Sequence, residues 1–380
     1  MKKKYIILSI ITLVLLIAFV TSFNYFKTSN TYVENNSNNQ TKITKGISMN
    51  LEQTAGAGDY KTVTQSNWPT KGYKFNSELS RCENGSELSW DNAKKTVIVS
   101  GNLSDKCNVY FDIYQPTLAE YIKSQYTGTQ GDNALYYHNS TLANGAGDNS
   151  YRYAGASDSV NNYICLGSDV ATCPDANLFR IIGVFGDKTK VIRAKSVGEK
   201  EWNTNNSNKW SSSSLNTYLN GEYLTSLGTL AKKIAITTWK VGGGTYGNIL
   251  GSVPKTTYQY EVGSSASTTI IDKKIGLMYV SDYGFAASPS AWTKTLGDYD
   301  GTDANGTSIK TINWMYMGYN DWTISCVSND TILVFDVRSN GVVNSGDASY
   351  TREVRPSFNL ESSVKYVSGS GSMSDPVRIN

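Results

Sequence analysis

The stretch DWTISCVSNDTILVFDVRSNGVVNSGDASYTREVRPSFNL, Asp321 to Leu360, sets the reading of the whole chain. DWTISC reads as a strand, a short loop follows, and Ile332 to Val337 reads as a second strand. Asn340-Gly341 between alternating apolar runs is a strong hairpin signal, because both central residues of the favoured turn need positive φ. A third strand begins at Val342. After a polar loop, Val354 to Leu360 (VRPSFNL) closes the segment, and Pro356, which cannot donate to a ladder, marks a strand start or an edge.

The order of a tryptophan strand, an Asn-Gly turn and a closing Val-Arg-Pro-Ser-Phe-Asn-Leu resembles the end of a C-type-lectin-like module. It is similar, more closely, to a family of unknown function from surface proteins of low-GC Gram-positive bacteria. The resemblance runs from about Tyr151 to the C-terminus. It implies a lectin-like frame that is mostly β with a few helices (an α+β class), and no single function, since such a fold hosts many.

The chain has 380 residues, enough for two domains. Only 18% are charged and 26 are tyrosines, a balance that suits an extracellular β-rich protein with aromatic and polar surface. The net charge of +3 is too small for the dense basic face that nucleic acid requires. Lys2, Lys3 and Lys4 precede Tyr5 to Phe23, an uncharged run rich in Ile, Leu and Val. As a helix that run spans roughly 28 Å, about a bilayer core, and the lysines keep the leading end in the cytoplasm. The expectation is an uncleaved single-pass anchor over residues 1–26 in the cell membrane, with the bulk of the chain extracellular. A cleaved signal peptide is the rival, although Ala18 to Ser22 offers a poor cleavage site.

Residues 27–45 are almost all polar and read as a flexible linker. Residues 46–114 read as a small β-sandwich stalk, with strands at Ile47–Leu51, Thr96–Ser100 and Lys106–Tyr114 and a turn at Trp90–Lys95. Residues 115–380 form the lectin-like head. There Thr117 caps a short helix with Leu118, Tyr121, Ile122 and Tyr126 on one face, and Leu178–Phe185 and Lys190–Lys195 form a hairpin about Gly186-Asp187. A helix is expected over Ser211–Leu227, a helix or strand over Ile234–Trp239, a long loop over Gly242–Ser267, a strand over Ile275–Ser281 and a turn at Asp282–Ala286. Val364–Ser368 and Pro376–Ile379 form a last hairpin that returns the C-terminus to the start of the head.

Five cysteines in an exported chain read first as disulfides. Pairing by proximity gives Cys82–Cys107 and Cys165–Cys173, leaving Cys326 as a buried small apolar residue. His138 is the sole histidine, so Ser-His-Asp or Cys-His hydrolysis would have to use it; no Gly-x-Ser-x-Gly or His-Glu-x-x-His accompanies it. Asp298, Asp300 and Asp303 alternate around Gly301, and such a run can wrap a hard cation such as calcium, although the distal glutamate of a calcium loop is missing. A solvated turn accounts for the same residues, and no cofactor other than calcium is suggested. Asn320-Asp321-Trp322 permutes the tripeptide of calcium-dependent lectins, without its partner proline motif, and Trp322 reads as core. Formylglycine-generating enzymes share the lectin-like fold and use a cysteine pair, whereas Cys326 stands alone in the corresponding region. Arg355, fixed between Val354 and Pro356, reads as structural, bonding a buried carboxylate or backbone.

These features point to a membrane-anchored surface protein with a non-catalytic, adhesin-like head. Its extracellular glycan or protein ligand would meet the Gly242–Ser267 and Asp282–Asn320 segments, with Tyr283, Trp292, Tyr299 and Tyr319 as contact aromatics, since rigid rings bind at low entropy cost. A surface enzyme of the formylglycine-generating type and a pilus-like subunit are the alternatives.

Overall fold

The computed structural model describes residues 46–380 apart from 65, 66, 70, 71, 103 and 104. The anchor and linker expected over residues 1–45 lie outside the described residues; among these, no helix is long and apolar enough to cross a membrane. Among the described residues the fold is mostly β, 34% strand against 19% helix, and the chain divides into two compact units between Gln115 and Pro116.

Among the described residues the first unit contains six strands. Four of them, β1 (Ile47–Glu52), β2 (Tyr60–Val63), β3 (Tyr73–Cys82) and β6 (Cys107–Ile113), make a sheet in the order β2-β1-β6-β3. The hairpin β4 (Glu87–Asp91) and β5 (Thr96–Ser100) is a separate two-stranded sheet, turning where Trp90–Lys95 predicts. Met49, Trp68, Val109 and Phe111 are buried at the unit's centre, with Phe75 and Trp90 packed against them. A core this small is marginal. The disulfide Cys82–Cys107 staples β3 to β6 across paired positions.

The second unit opens with helix α1 (Leu118–Ser124), whose Thr117 and Glu120 form a complete capping box. Its main sheet contains β7 (Leu135–Tyr137), β8 (Tyr151–Tyr153), β9 (Tyr163–Cys165), β10 (Leu178–Phe185) and β11 (Lys188–Arg193). Strand β12 (Glu199–Glu201) lies in the other large sheet, and helix α2 (Ser214–Tyr218) continues through a wider turn into Leu224–Ser226. Beyond it, the second half of Ile234–Trp239 is strand: β13 (Thr237–Lys240) pairs with β14 (Ile270–Lys273), and Ile234 makes an isolated bridge to Leu360.

Three expected segments differ in the structure: the Gly242–Ser267 loop, the Ile275–Ser281 strand and the Asp282–Ala286 turn, which is helical. Within Gly242–Ser267 the backbone forms two helices, α3 (Tyr246–Leu250), capped by Thr245, and α4 (Pro254–Glu261), started by its proline. Their polar sequence hides them from an apolar-periodicity test. Ile275–Ser281 is not one strand: β15 (Ile275–Gly276) ends early, and helix α5 (Val280–Ala286) takes over. The cause lies in partners for the first helical N–H groups. Asp282 accepts from Tyr279 N at 2.9 Å, and Glu261 accepts from Val280 N at 2.8 Å and Ser281 N at 2.7 Å.

The segment that opened the sequence reading supplies β16 (Asp321–Cys326), β17 (Leu333–Val337), β18 (Val343–Asp347), β19 (Thr351–Glu353) and β20 (Ser357–Leu360). They lie in the order β12-β19-β16-β17-β18, while β20 crosses to the main sheet between β15 and β11. At the hairpin, Gly341 has φ +95° and Asn340 does not share the left-handed region. The loop closes through Gly341 N–H to Arg338 O and Arg338 N–H to Val342 O, both 2.8 Å, which is a turn followed by a bulge glycine. Finally β21 (Tyr366–Ser368) and β22 (Val377–Ile379) form the last hairpin. Leu118 N–H donates to Val364 O and Tyr366 N–H to Pro116 O, tying the chain's end to the unit's start.

Candidate functional site

Among the described residues, one cavity of the second unit is open on loop backbone and another on buried charge. The larger, about 550 Å³, lies beside the loop closed by Cys165–Cys173. Its arginine, Arg378, is spent on the carbonyls of Ser168, Val170 and Ala171, and its Lys233 on that of Asn380, so the cations there serve the loop and the chain end.

The smaller cavity, about 230 Å³, is built on buried charge. Strand β11 brings Lys190 to its wall, helix α5 brings Asp282 and β8 brings Arg152; all three are at least 95% buried. Lys190 Nζ lies 2.5 Å from Asp282 Oδ2 and 4.6 Å from the Tyr279 ring centre. Burial pushes the Lys190 ammonium below its usual range, and Asp282 pulls it back. Arg152 is held by Ser150 at 2.8 Å through Nε and by Asp148 at 2.6 Å through Nη2, and its guanidinium lies among Phe185, Tyr258 and Phe285. Burial raises the Asp148 carboxyl, but Arg152 and Ser150 outweigh it and hold the group at about 2. Behind α5, burial raises Glu261, which also accepts from Ser325 Oγ. The mouth carries Lys240, Tyr258, Thr238 and Asn359.

The expected contact aromatics lie elsewhere, and three are corrected. Tyr283, Trp292 and Tyr299 are fully buried. Tyr283 OH donates to Gly341 O at 2.8 Å, Trp292 Nε1 to Ala287 O at 2.8 Å, and Tyr299 OH to Gly284 O at 3.0 Å. They satisfy carbonyls of irregular backbone, which an interior cannot leave unpaired. Tyr319 alone is half-buried. The calcium reading of the acidic run has no support in the geometry. Asp298 accepts from Thr295 Oγ1 and Asp303 from Asn305 N and Thr307 N, while Asp300 meets Asn340; no group of three ligating side chains occurs among the described residues.

Arg355 donates from Nε to Asp321 Oδ2 at 2.6 Å and from Nη2 to Met315 O at 2.8 Å, deep in the unit. Trp322 is fully buried, its Nε1 donating to Lys200 O at 3.0 Å. Cys326 is a buried free thiol that burial pushes up to about 11. His138 is buried against Phe285 and Trp292; Nδ1 accepts from Ala146 N at 3.0 Å, and burial, with Arg152 nearby, holds the ring neutral.

Sequence reading missed Lys190, Arg152, Lys240 and Tyr258. The available signals were weak: a lysine directly before the apolar pair Val191-Ile192 and an arginine between two tyrosines. Comparison of the chain with family models, with curated proteins and with solved structures found no match in any of the three.

Proposed function

We propose that the chain is a membrane-anchored surface protein whose second unit is a non-catalytic, C-type-lectin-like recognition head. The ligand is an extracellular glycan or protein group that enters the 230 Å³ cavity. The observation that carries the reading is this concave site, with aromatic walls and a few convergent polar groups around a buried ion pair. Its charged groups are committed to partners, Lys190 to Asp282 and Arg152 to Asp148, which suits recognition more than proton transfer. The lectin-like assignment rests on the tryptophan strand and the Val-Arg-Pro closure. The surface location rests on the lysine-led apolar N-terminus and agrees with two disulfides.

The full chain, applied to an array of glycans and surface proteins, should give specific hits that Thr238→Trp, which fills the cavity mouth, removes without lowering the melting temperature. Hits that survive Thr238→Trp would place recognition elsewhere, and a wholly blank array would sink the recognition reading.

A further inference from the structure

The cavity's charges define what it can hold, and this inference rests on the recognition reading above. Its wall contains three cations, Arg152, Lys190 and Lys240, and one carboxylate, Asp282; Asp148 and Glu261 are outside the lining, the first bonded to Arg152 and the second to the start of α5. An ammonium has three N–H donors. Among the described residues, Asp282 takes one from Lys190, and the neighbouring Tyr279, Trp239 and Phe185 offer ring faces at 4.6, 5.4 and 5.8 Å. Two donors on a side chain 95% buried therefore have no oxygen acceptor. Lys240 is half-buried, forms no ion pair among the described residues, and donates only to the carbonyls of Val262 and Gly263.

We propose that this cavity binds a carboxylate carried on a single hydroxylated ring, an acidic monosaccharide unit. The carboxylate oxygens accept from Lys190 and Lys240, charge-assisted bonds that gain strength where water is excluded. A monoanion is favoured over a phosphate dianion for two reasons. Asp282 in the wall repels the second charge, and the arginine fork that would grip phosphate is already spent on Ser150 and Asp148. The ring lies against Tyr258, and its hydroxyls meet Thr238 and the Thr237–Asn359 pair, which are hydrogen-bonded at 3.0 Å. The cavity's size admits one ring and not two.

The test is titration calorimetry of the full chain with D-glucuronate and D-glucose, on the native protein and on Lys240→Gln and Thr238→Trp. Lys190→Met risks the fold, whereas Lys240→Gln removes a half-exposed charge that pairs only with backbone. Glucuronate should bind saturably and at least tenfold tighter than glucose. Lys240→Gln should weaken glucuronate about tenfold and leave the melting temperature in place, and Thr238→Trp should abolish binding. Equal affinity for the two sugars, no glucuronate binding, or glucuronate binding indifferent to Lys240→Gln would overturn the inference. Array hits that Thr238→Trp removes, alongside any of those results, would show that the recognition reading survives and only the ligand class is wrong.

Discussion

At the scale of single residues, buried charge separates frame from site. Arg355 and Asp321 are each 2% exposed and joined at 2.6 Å. Even with that partner, burial raises the Asp321 carboxyl to about 6. Arg355→Ala should cost about 3–5 kcal/mol in denaturant unfolding, because it strands a buried acid. Arg355→Met with Asp321→Leu should recover much of that loss, since replacing both partners removes the desolvation penalty. If the single variant keeps full stability, the pair is not part of the frame. His138 gives a pH prediction. The unfolded chain takes up its proton near 6.5, while the folded ring, buried beside Arg152, stays neutral well below that. Acid then favours only the unfolded chain, so stability from this group falls as pH drops below 6.5, by about 1.4 kcal/mol per pH unit. Between pH 6 and 4 Asp321 acts in the opposite sense, because its folded pKa is raised. The test is therefore the difference in slope between the native protein and His138→Gln, and equal slopes would show the ring titrating in place.

At the scale of elements, α5 shows how a local pattern yields to its neighbours. Ile275 to Ser281 is a short apolar run that reads as a strand, yet Glu261 from α4 accepts two of the first N–H groups of α5 and Asp282 completes the cap. Only folding brings Glu261 there, 19 residues from Val280 in sequence. The same two helices then deliver Tyr258 and Asp282 to the cavity. In the first unit the corresponding element is the β3–β6 staple. Its disulfide closes a separation of 25 residues and contributes about 3 kcal/mol by restricting the unfolded chain. Cys82→Ser with Cys107→Ser should lower that unit's melting temperature by more than about 10 °C in calorimetry and leave the second unit's transition in place. A joint shift of both transitions would show the units melting together.

At the scale of the whole molecule, the proposed topology makes one demand. Protease added to intact cells should remove everything after the linker, and a protected bulk would reverse the orientation.

Much of the architecture was legible in the sequence because it depends on nearby residues. Period-two runs, the Gly186 and Gly341 turns, the Thr117 cap and close cysteine spacing each act over a few residues to a few tens, and the structure contains all of them. The fate of the aromatics was not legible. Six of the eight tryptophans are fully buried, and five of those donate their indole N–H to a backbone carbonyl: Trp202, Trp239, Trp292, Trp314 and Trp322. A ring with one polar edge suits a wet contact surface and an interior crossed by irregular loops equally well, and composition cannot choose between them. Nor could sequence assemble the cavity. Lys190 and Asp282 are 92 residues apart, and each looks like an ordinary surface charge until tertiary packing withdraws water from both. Local chemistry determined the strands, turns and staples; long-range packing decided which charges are buried, and so where a ligand can be held.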